Sequence, residues 1–121
     1  MVKALFDTNI LIDYLRGLRP AREELGRYEQ LAISVISWME VSIGATPATE
    51  RGTRDFLDGF TRIAVDDRVA ERAVLLRRAH RVKLPDAIVW ASAQVHSMLL
   101  VTRDMKSFPA HEPGVRHPYV L

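Results

Sequence analysis

Short apolar runs rich in β-branched residues alternate along this chain with longer stretches whose apolar positions recur every three or four residues, the two periods that separate strands from helices. Residues 3–6 (KALF) predict a first buried strand, closed by Asp7. Residues 9–17 carry Ile10, Leu11, Tyr14 and Leu15 at helical spacing and stop at Gly17; residues 20–28 predict a second helix with Pro20 in its first turn. LAISVI at 31–36 predicts a second strand, after which Ser37 opens a helix that runs through Ile43 and is stopped by Gly44 and Pro47. Residues 49–60 read as helix and 62–65 as a short third strand. A helix over 68–80 follows, N-capped by Asp67, with Val69, Ala73 and Leu76 as its inner stripe. Pro85 begins a helix to about His96, MLLVT at 98–102 is a strand, and 119–121 form a last, edge strand.

Strands alternating with helices imply right-handed crossovers and a parallel sheet covered on both faces, so the expected fold is a three-layer α/β/α sandwich with a central, mainly parallel sheet. The 121 residues suit a single domain spanning 1–121, with no repeat, linker or low-complexity segment. A 48% hydrophobic content argues against disorder, and no apolar run is long enough to cross a bilayer. The opening MVKALFD has too short an apolar region for a secretory leader. The absence of cysteine excludes a disulfide framework and thiolate metal sites, and a cytoplasmic location is expected. The net charge is only +2 although the pI is about 9.3. Lysine occurs only at Lys3, Lys83 and Lys106, so arginine carries the positive charge. Arginine forks match phosphate geometry, but a solvated arginine-rich surface explains the bias equally well.

The candidate chemistry is a set of scattered acids. Asp7 follows the first strand, Glu40 sits in the first turn of the helix after the second, and Asp86 opens the helix after Pro85. Asp104 lies just beyond the strand at 98–102. Strand C-terminal ends and the helix N-termini that follow them gather on one edge of an open parallel sheet, where ligands bind. Asp86 joins the other three provided its helix points its N-terminus the same way. Each acid alone has a local explanation. Asp7 suits a helix cap, and Ser37 with Glu40 fits a capping box. Asp86 complements a helix dipole, and Asp104 suits a turn. Together they are harder to explain so, because four converging carboxylates repel unless a cation neutralises them. Hard cations such as Mg²⁺ or Mn²⁺ accept such oxygen ligands alongside waters and substrate phosphates. One ion, or two about 4 Å apart, would activate water and stabilise the leaving oxygen in phosphodiester cleavage.

LFDTNILIDYL, the Glu of SVISWMEVSIG, LPDAIVWASA and LLVTRDMKSF, in this order over nearly the whole chain, resemble a PIN-domain nuclease, and most closely the VapC-type toxins of toxin–antitoxin pairs. The resemblance implies a PIN-like fold and a Mg²⁺- or Mn²⁺-dependent endoribonuclease, restrained by a cognate antitoxin and assembled as a homodimer. It assigns Asp7, Glu40, Asp86 and Asp104 to the acidic quartet, with Asp7, Asp86 and Asp104 as metal ligands. Thr8, Asn9 and Thr102 are supporting residues, Asn9 bonding the carboxylates. Many members carry a further acid just before the Phe of the last motif; this chain has Ser107 before Phe108. That leaves Asp104 as the only acid there.

Arg103 reads as a phosphate contact, as a residue orienting Asp104, or as plain surface. Asp13, a little under two turns beyond Asp7, reads as a helix-surface acid. His80, His96, His111 and His117 lack paired metal-ligand spacing, and the last two read as solvated. Trp38, Trp90 and Phe6 read as core. Ile10, Leu11, Tyr14, Leu15 and Leu18 exceed one apolar stripe; core packing explains most of them, and a dimer interface or antitoxin groove the rest. Two other functions fit in outline. A phosphoacceptor receiver domain would need an acidic pair after the first strand, where only Asp7 stands; Asp66, Asp67 and Lys106 are its other candidates. An inactive PIN-like scaffold would bind RNA or protein without cutting, and would gain nothing from four acids facing phosphate.

Overall fold

The computed structural model describes residues 3–121; Met1 and Val2, part of the opening run weighed as a leader, lie outside the described residues. The elements are β1 (Lys3–Phe6), α1 (Thr8–Leu15), α2 (Arg19–Leu25), β2 (Gln30–Ser34), α3 (Val35–Ile43), α4 (Glu50–Asp58), β3 (Thr61–Ile63), α5 (Asp67–His80), α6 (Leu84–Val95), β4 (Leu99–Val101) and β5 (Val115–Arg116). The strands form one sheet in the order β3-β2-β1-β4-β5, and every pairing is parallel. Alternation along each strand divides the core. Ala4, Phe6, Ile33 and Val101 pack with α1 to α4, whereas Leu5, Ala32 and Leu100 pack with α5 and α6. The result is the expected α/β/α sandwich. Trp90 and Phe6 are fully buried in its two halves.

The order 3-2-1-4-5 matters for function. The chain winds from β1 outward to β3, then returns to lay β4 on the other side of β1. The switch point therefore lies between the C-terminal ends of β1 and β4, where an open α/β sheet leaves a crevice. A receiver domain has its sheet in the order 2-1-3-4-5, so that alternative is excluded by topology.

Several local expectations need correction. The third strand ends at Ile63 rather than Val65, and the fifth is Val115–Arg116 rather than 119–121. Leu100 N–H donates to Gly114 O and Thr102 N–H to Arg116 O, after which Pro118, lacking an N–H, cannot extend the ladder. Helix α3 begins at Val35, capped by the Ser34 hydroxyl, which accepts from Ile36 N–H; two β-branched residues had made the first helical turn read as strand. Ser37 is thus inside the helix and buried, the capping box with Glu40 does not exist, and Glu40 lies in the second turn. Asp66, not Asp67, caps α5, accepting from Val69 N–H at 3.0 Å.

Candidate active site

Asp7 follows β1 directly and caps α1, so one residue joins the two elements. Its Oδ1 accepts Thr8 N–H at 2.8 Å; its Oδ2 accepts the Thr102 hydroxyl at 2.8 Å and the Asn9 amide at 3.3 Å. Thr102, fully buried at the end of β4, thereby bridges the two strands at the switch point. Burial pushes the Asp7 carboxyl up to about 6; the charges of Asp86 and Asp104 add to the rise, and the Thr102 hydroxyl and Thr8 amide oppose it.

Asp86 lies in the first turn of α6, behind Pro85. Its carboxyl is also raised, first by burial, then by the charge of Asp104 and more weakly by that of Glu40. The Ser107 hydroxyl and the Lys83 ammonium pull the other way. Asp7, Asp86 and Asp104 thus lie near enough for their charges to act on one another, and Glu40 acts on Asp86, with α6 pointing its N-terminus to that edge. Ser107, the departure from the resembled motif, donates its backbone N–H to Asp104 Oδ1 at 2.9 Å. Asp104 does make the turn allowed for it, since Oδ1 also accepts Lys106 N–H; its Oδ2 takes no donor among the described residues. Glu40 is exposed and reaches the site from α3, where its Oε1 accepts the Thr8 hydroxyl at 2.7 Å.

Arg103 does not face this edge. Its guanidinium forks onto Asp13, with Nε on Oδ2 and Nη2 on Oδ1 at 3.0 Å, and Tyr119 donates its hydroxyl to Oδ2 at 2.7 Å. Asp13 is only 1% exposed, so its reading as a surface acid is wrong. It lies three residues beyond buried Ile10, on the inner stripe of α1, and that spacing was the available signal. Burial pushes its carboxyl up, but Arg103 and Tyr119 outweigh this and hold it below the usual carboxylate range. Trp38 is half-buried rather than core, with Arg62 and Arg54 over its ring at 4.6 and 5.8 Å. His111 is exposed as expected. His117 is not solvated: it is half-buried, with Nε2 sealed off and unpartnered among the described residues.

Residues 4–110 match the PIN domain family model. The chain belongs to the PIN domain family. It is 34% identical over 116 residues to ribonuclease VapC10 of Mycobacterium tuberculosis, covering 89% of this chain and 87% of that one. Among solved structures, a toxin–antitoxin complex from Klebsiella pneumoniae contains a chain 48% identical to this one, with a TM-score of 0.94 over 98% of this chain and 100% of the other. FitAcB from Neisseria gonorrhoeae, at 23% identity and a TM-score of 0.77 over 98% and 99% of the two chains, shares the fold.

The donor set of this PIN domain suits a hard cation: carboxylate and hydroxyl oxygens, with no histidine or thiol among them. Among the described residues no three acids, histidines or cysteines stand close enough together to form a cage that would hold a metal ion by themselves. Mg²⁺ sites are seldom such cages; they use one or two carboxylates and fill the remaining positions with water and substrate phosphate.

Proposed function

We propose that the chain is a Mg²⁺- or Mn²⁺-dependent endoribonuclease, the toxin of a type II toxin–antitoxin pair, acting in the cytoplasm as one nuclease unit on RNA phosphodiester bonds. The observation that carries this is the buried Asp7 at the switch edge, held by Thr8, Asn9 and Thr102, its carboxyl pushed up chiefly by burial and further by the charges of Asp86 and Asp104. A site that raises the cost of its own charges is arranged for a cation. Asp7, Asp86 and Asp104 would hold the metal, which when bound supplies Lewis acidity that activates water and neutralises charge on the leaving oxygen. Thr102 and Asn9 fix the Asp7 carboxylate in one rotamer. Thr8 fixes Glu40, leaving its second oxygen free to take a proton from water. A scaffold that only binds RNA is disfavoured, because four mutually repelling acids oppose a phosphate backbone.

The protein freed of its antitoxin should cut RNA in Mn²⁺ or Mg²⁺ and stop in excess EDTA, read as new ends on a gel. Cleavage that persists in EDTA would contradict the metal's role. No helix among the described residues is long and apolar enough to cross a membrane.

The antitoxin has a natural seat beside the site. Ile12, Tyr14, Leu15, Val41 and Phe56 line a cleft of about 870 Å³ between α1, α3 and α4, with Glu40 at its rim. This uses the apolar surplus of α1, since Leu15 is exposed and Tyr14 stacks on Phe56 at 4.5 Å. Leu15→Glu should abolish co-purification with the antitoxin while RNA cleavage continues. Retained co-purification would move the antitoxin elsewhere.

A further inference from the structure

The turn after β4 carries Thr102, Arg103 and Asp104, so three consecutive residues meet the site in different ways. Thr102 donates to Asp7, and its Oγ1 accepts the backbone N–H of Asp104 at 3.0 Å. The backbone N–H of Arg103 donates to Asn9 Oδ1 at 3.1 Å. That one bond decides which way the Asn9 amide faces. With Oδ1 turned to Arg103, the Nδ2 end must face Asp7 Oδ2 and Thr102 Oγ1, each 3.3 Å away. The Arg103 side chain leaves in the opposite direction and is seized by Asp13, which Tyr119 secures from the C-terminal segment.

We propose that Arg103 is a positioning residue: the Asp13–Arg103–Tyr119 clamp, anchored on buried Asp13, pins the turn that sets Asn9, Thr102 and Asp104 around Asp7. The proposal rests on the ribonuclease reading for its kinetic consequences, though not for its effect on metal affinity. Two physical arguments support it. The bidentate fork fixes the guanidinium in plane and position, which a single ammonium contact cannot do. The clamp also consumes the Arg103 charge. A free arginine next to Asp104 would swing onto the acids and compete with a divalent cation for them. Held by a buried carboxylate, it is neutralised away from the edge, and the site keeps its negative charge.

The rival role for Arg103 is a direct contact with substrate phosphate, and the two roles diverge under substitution. A phosphate contact depends on positive charge, so Arg103→Lys should be mild. Arg103→Ala should raise KM and flatten the salt dependence by about one counterion, and Asp13→Asn, which frees the guanidinium, should leave cleavage unharmed. A positioning clamp depends on the fork. Arg103→Lys and Asp13→Asn should then share one defect: kcat lowered about tenfold to a hundredfold, Mn²⁺ affinity of the RNA-free chain weakened about tenfold or more, and the salt slope unchanged. Tyr119→Phe, which keeps the ring and removes one donor, should show a smaller defect of the same kind.

The experiment is a calorimetric Mn²⁺ titration of the purified parent and the four variants Arg103→Lys, Arg103→Ala, Asp13→Asn and Tyr119→Phe, paired with cleavage kinetics at several salt concentrations and a melting curve for each. Weakened Mn²⁺ binding in Arg103→Lys and Asp13→Asn supports the clamp. Parent-like Mn²⁺ affinity in both, with a higher KM and a shallower salt slope in Arg103→Ala, overturns it in favour of phosphate contact. Should those variants not fold, Tyr119→Phe decides, and parental Mn²⁺ affinity there overturns the clamp. A parent that cuts no RNA, with Mn²⁺ affinity still falling in the variants, leaves the clamp standing and removes the ribonuclease reading instead.

Discussion

Asp7→Asn will yield a chain that melts higher than its parent in EDTA at neutral pH and has lost RNA cleavage by more than about a hundredfold, beyond the usual cost of losing an outer-shell partner. The two halves of this result have one cause. Folding raises the Asp7 carboxyl from 3.8 to about 6, chiefly by burial. The folded chain therefore holds this proton to a higher pH than the unfolded chain does. The sign follows: the contribution of Asp7 is most favourable below about 4 and is lost as pH rises through about 6. At neutral pH the deficit is about 3 kcal/mol at most, from roughly 1.4 kcal/mol per pH unit. An asparagine carries no charge, and its Oδ1 can still accept from Thr8 or Thr102. Allowing for one weakened hydrogen bond, a gain of about 1–2 kcal/mol remains, or about 3–8 °C in Tm. The gain should shrink when both proteins are melted at pH 4. It should also shrink in Mn²⁺, which stabilises only the parent. A variant melting below its parent at pH 7.5 in EDTA would show that the hydrogen bonds to Asp7 outweigh its burial.

The largest loss of stability is expected at Glu24, on α2. Glu24 is 4% exposed and receives both arms of Arg116 from β5, at 2.7 and 3.0 Å, together with the Tyr28 hydroxyl at 2.6 Å. Burial raises the Glu24 carboxyl, but Arg116 and Tyr28 outweigh it and hold it below the usual range. Glu24→Ala would strand a partly buried guanidinium and a hydroxyl, and breaking such a pair from one side costs about 3–5 kcal/mol. That is a large part of the stability of a domain this size. Because Glu24 is the depressed group, its contribution is present above about 4.5 and is lost as pH falls through its lower folded value. The difference in melting temperature between parent and variant should therefore narrow on strong acidification. A loss below 1 kcal/mol at pH 7 would mean that β5 is held by its short ladder and not by this pair. The replacement should also loosen the C-terminal segment, which carries Tyr119 to Asp13.

What the sequence made legible followed local rules. Asp7 and Asp104 could be placed because a short apolar run ending on an acid marks a strand terminus. Asp86 could be placed because Pro85 marks a first helical turn. The fold class followed from alternation alone. What stayed hidden was non-local or contrary to propensity. Arg103 and Asp13 stand 90 residues apart, Arg116 and Glu24 92, and Tyr119 and Asp13 106, and no periodicity pairs such residues. Asp13 therefore reads from sequence as a helix-surface acid although it is buried, Glu24 carries no local signal of its burial, and Arg103 reads as a phosphate contact, a residue orienting Asp104 or plain surface. Val35 and Ile36 favour strand locally, but the Ser34 cap and the turn toward the site make them helical, which displaced Glu40 by a turn and hid its bond to Thr8. Ser107 reads from sequence as a missing acid; its backbone bond to Asp104 depends on how the turn after β4 folds.

The central claim is that Asp7, Asp86 and Asp104, three acids far apart in sequence, form one cation site. Calorimetric titration of the metal-free chain with Mn²⁺, repeated on Asp86→Asn and Asp104→Asn, tests it most directly. The account predicts saturable binding by the parent and at least tenfold weaker binding in each variant. Parent-like Mn²⁺ affinity in both variants would contradict it.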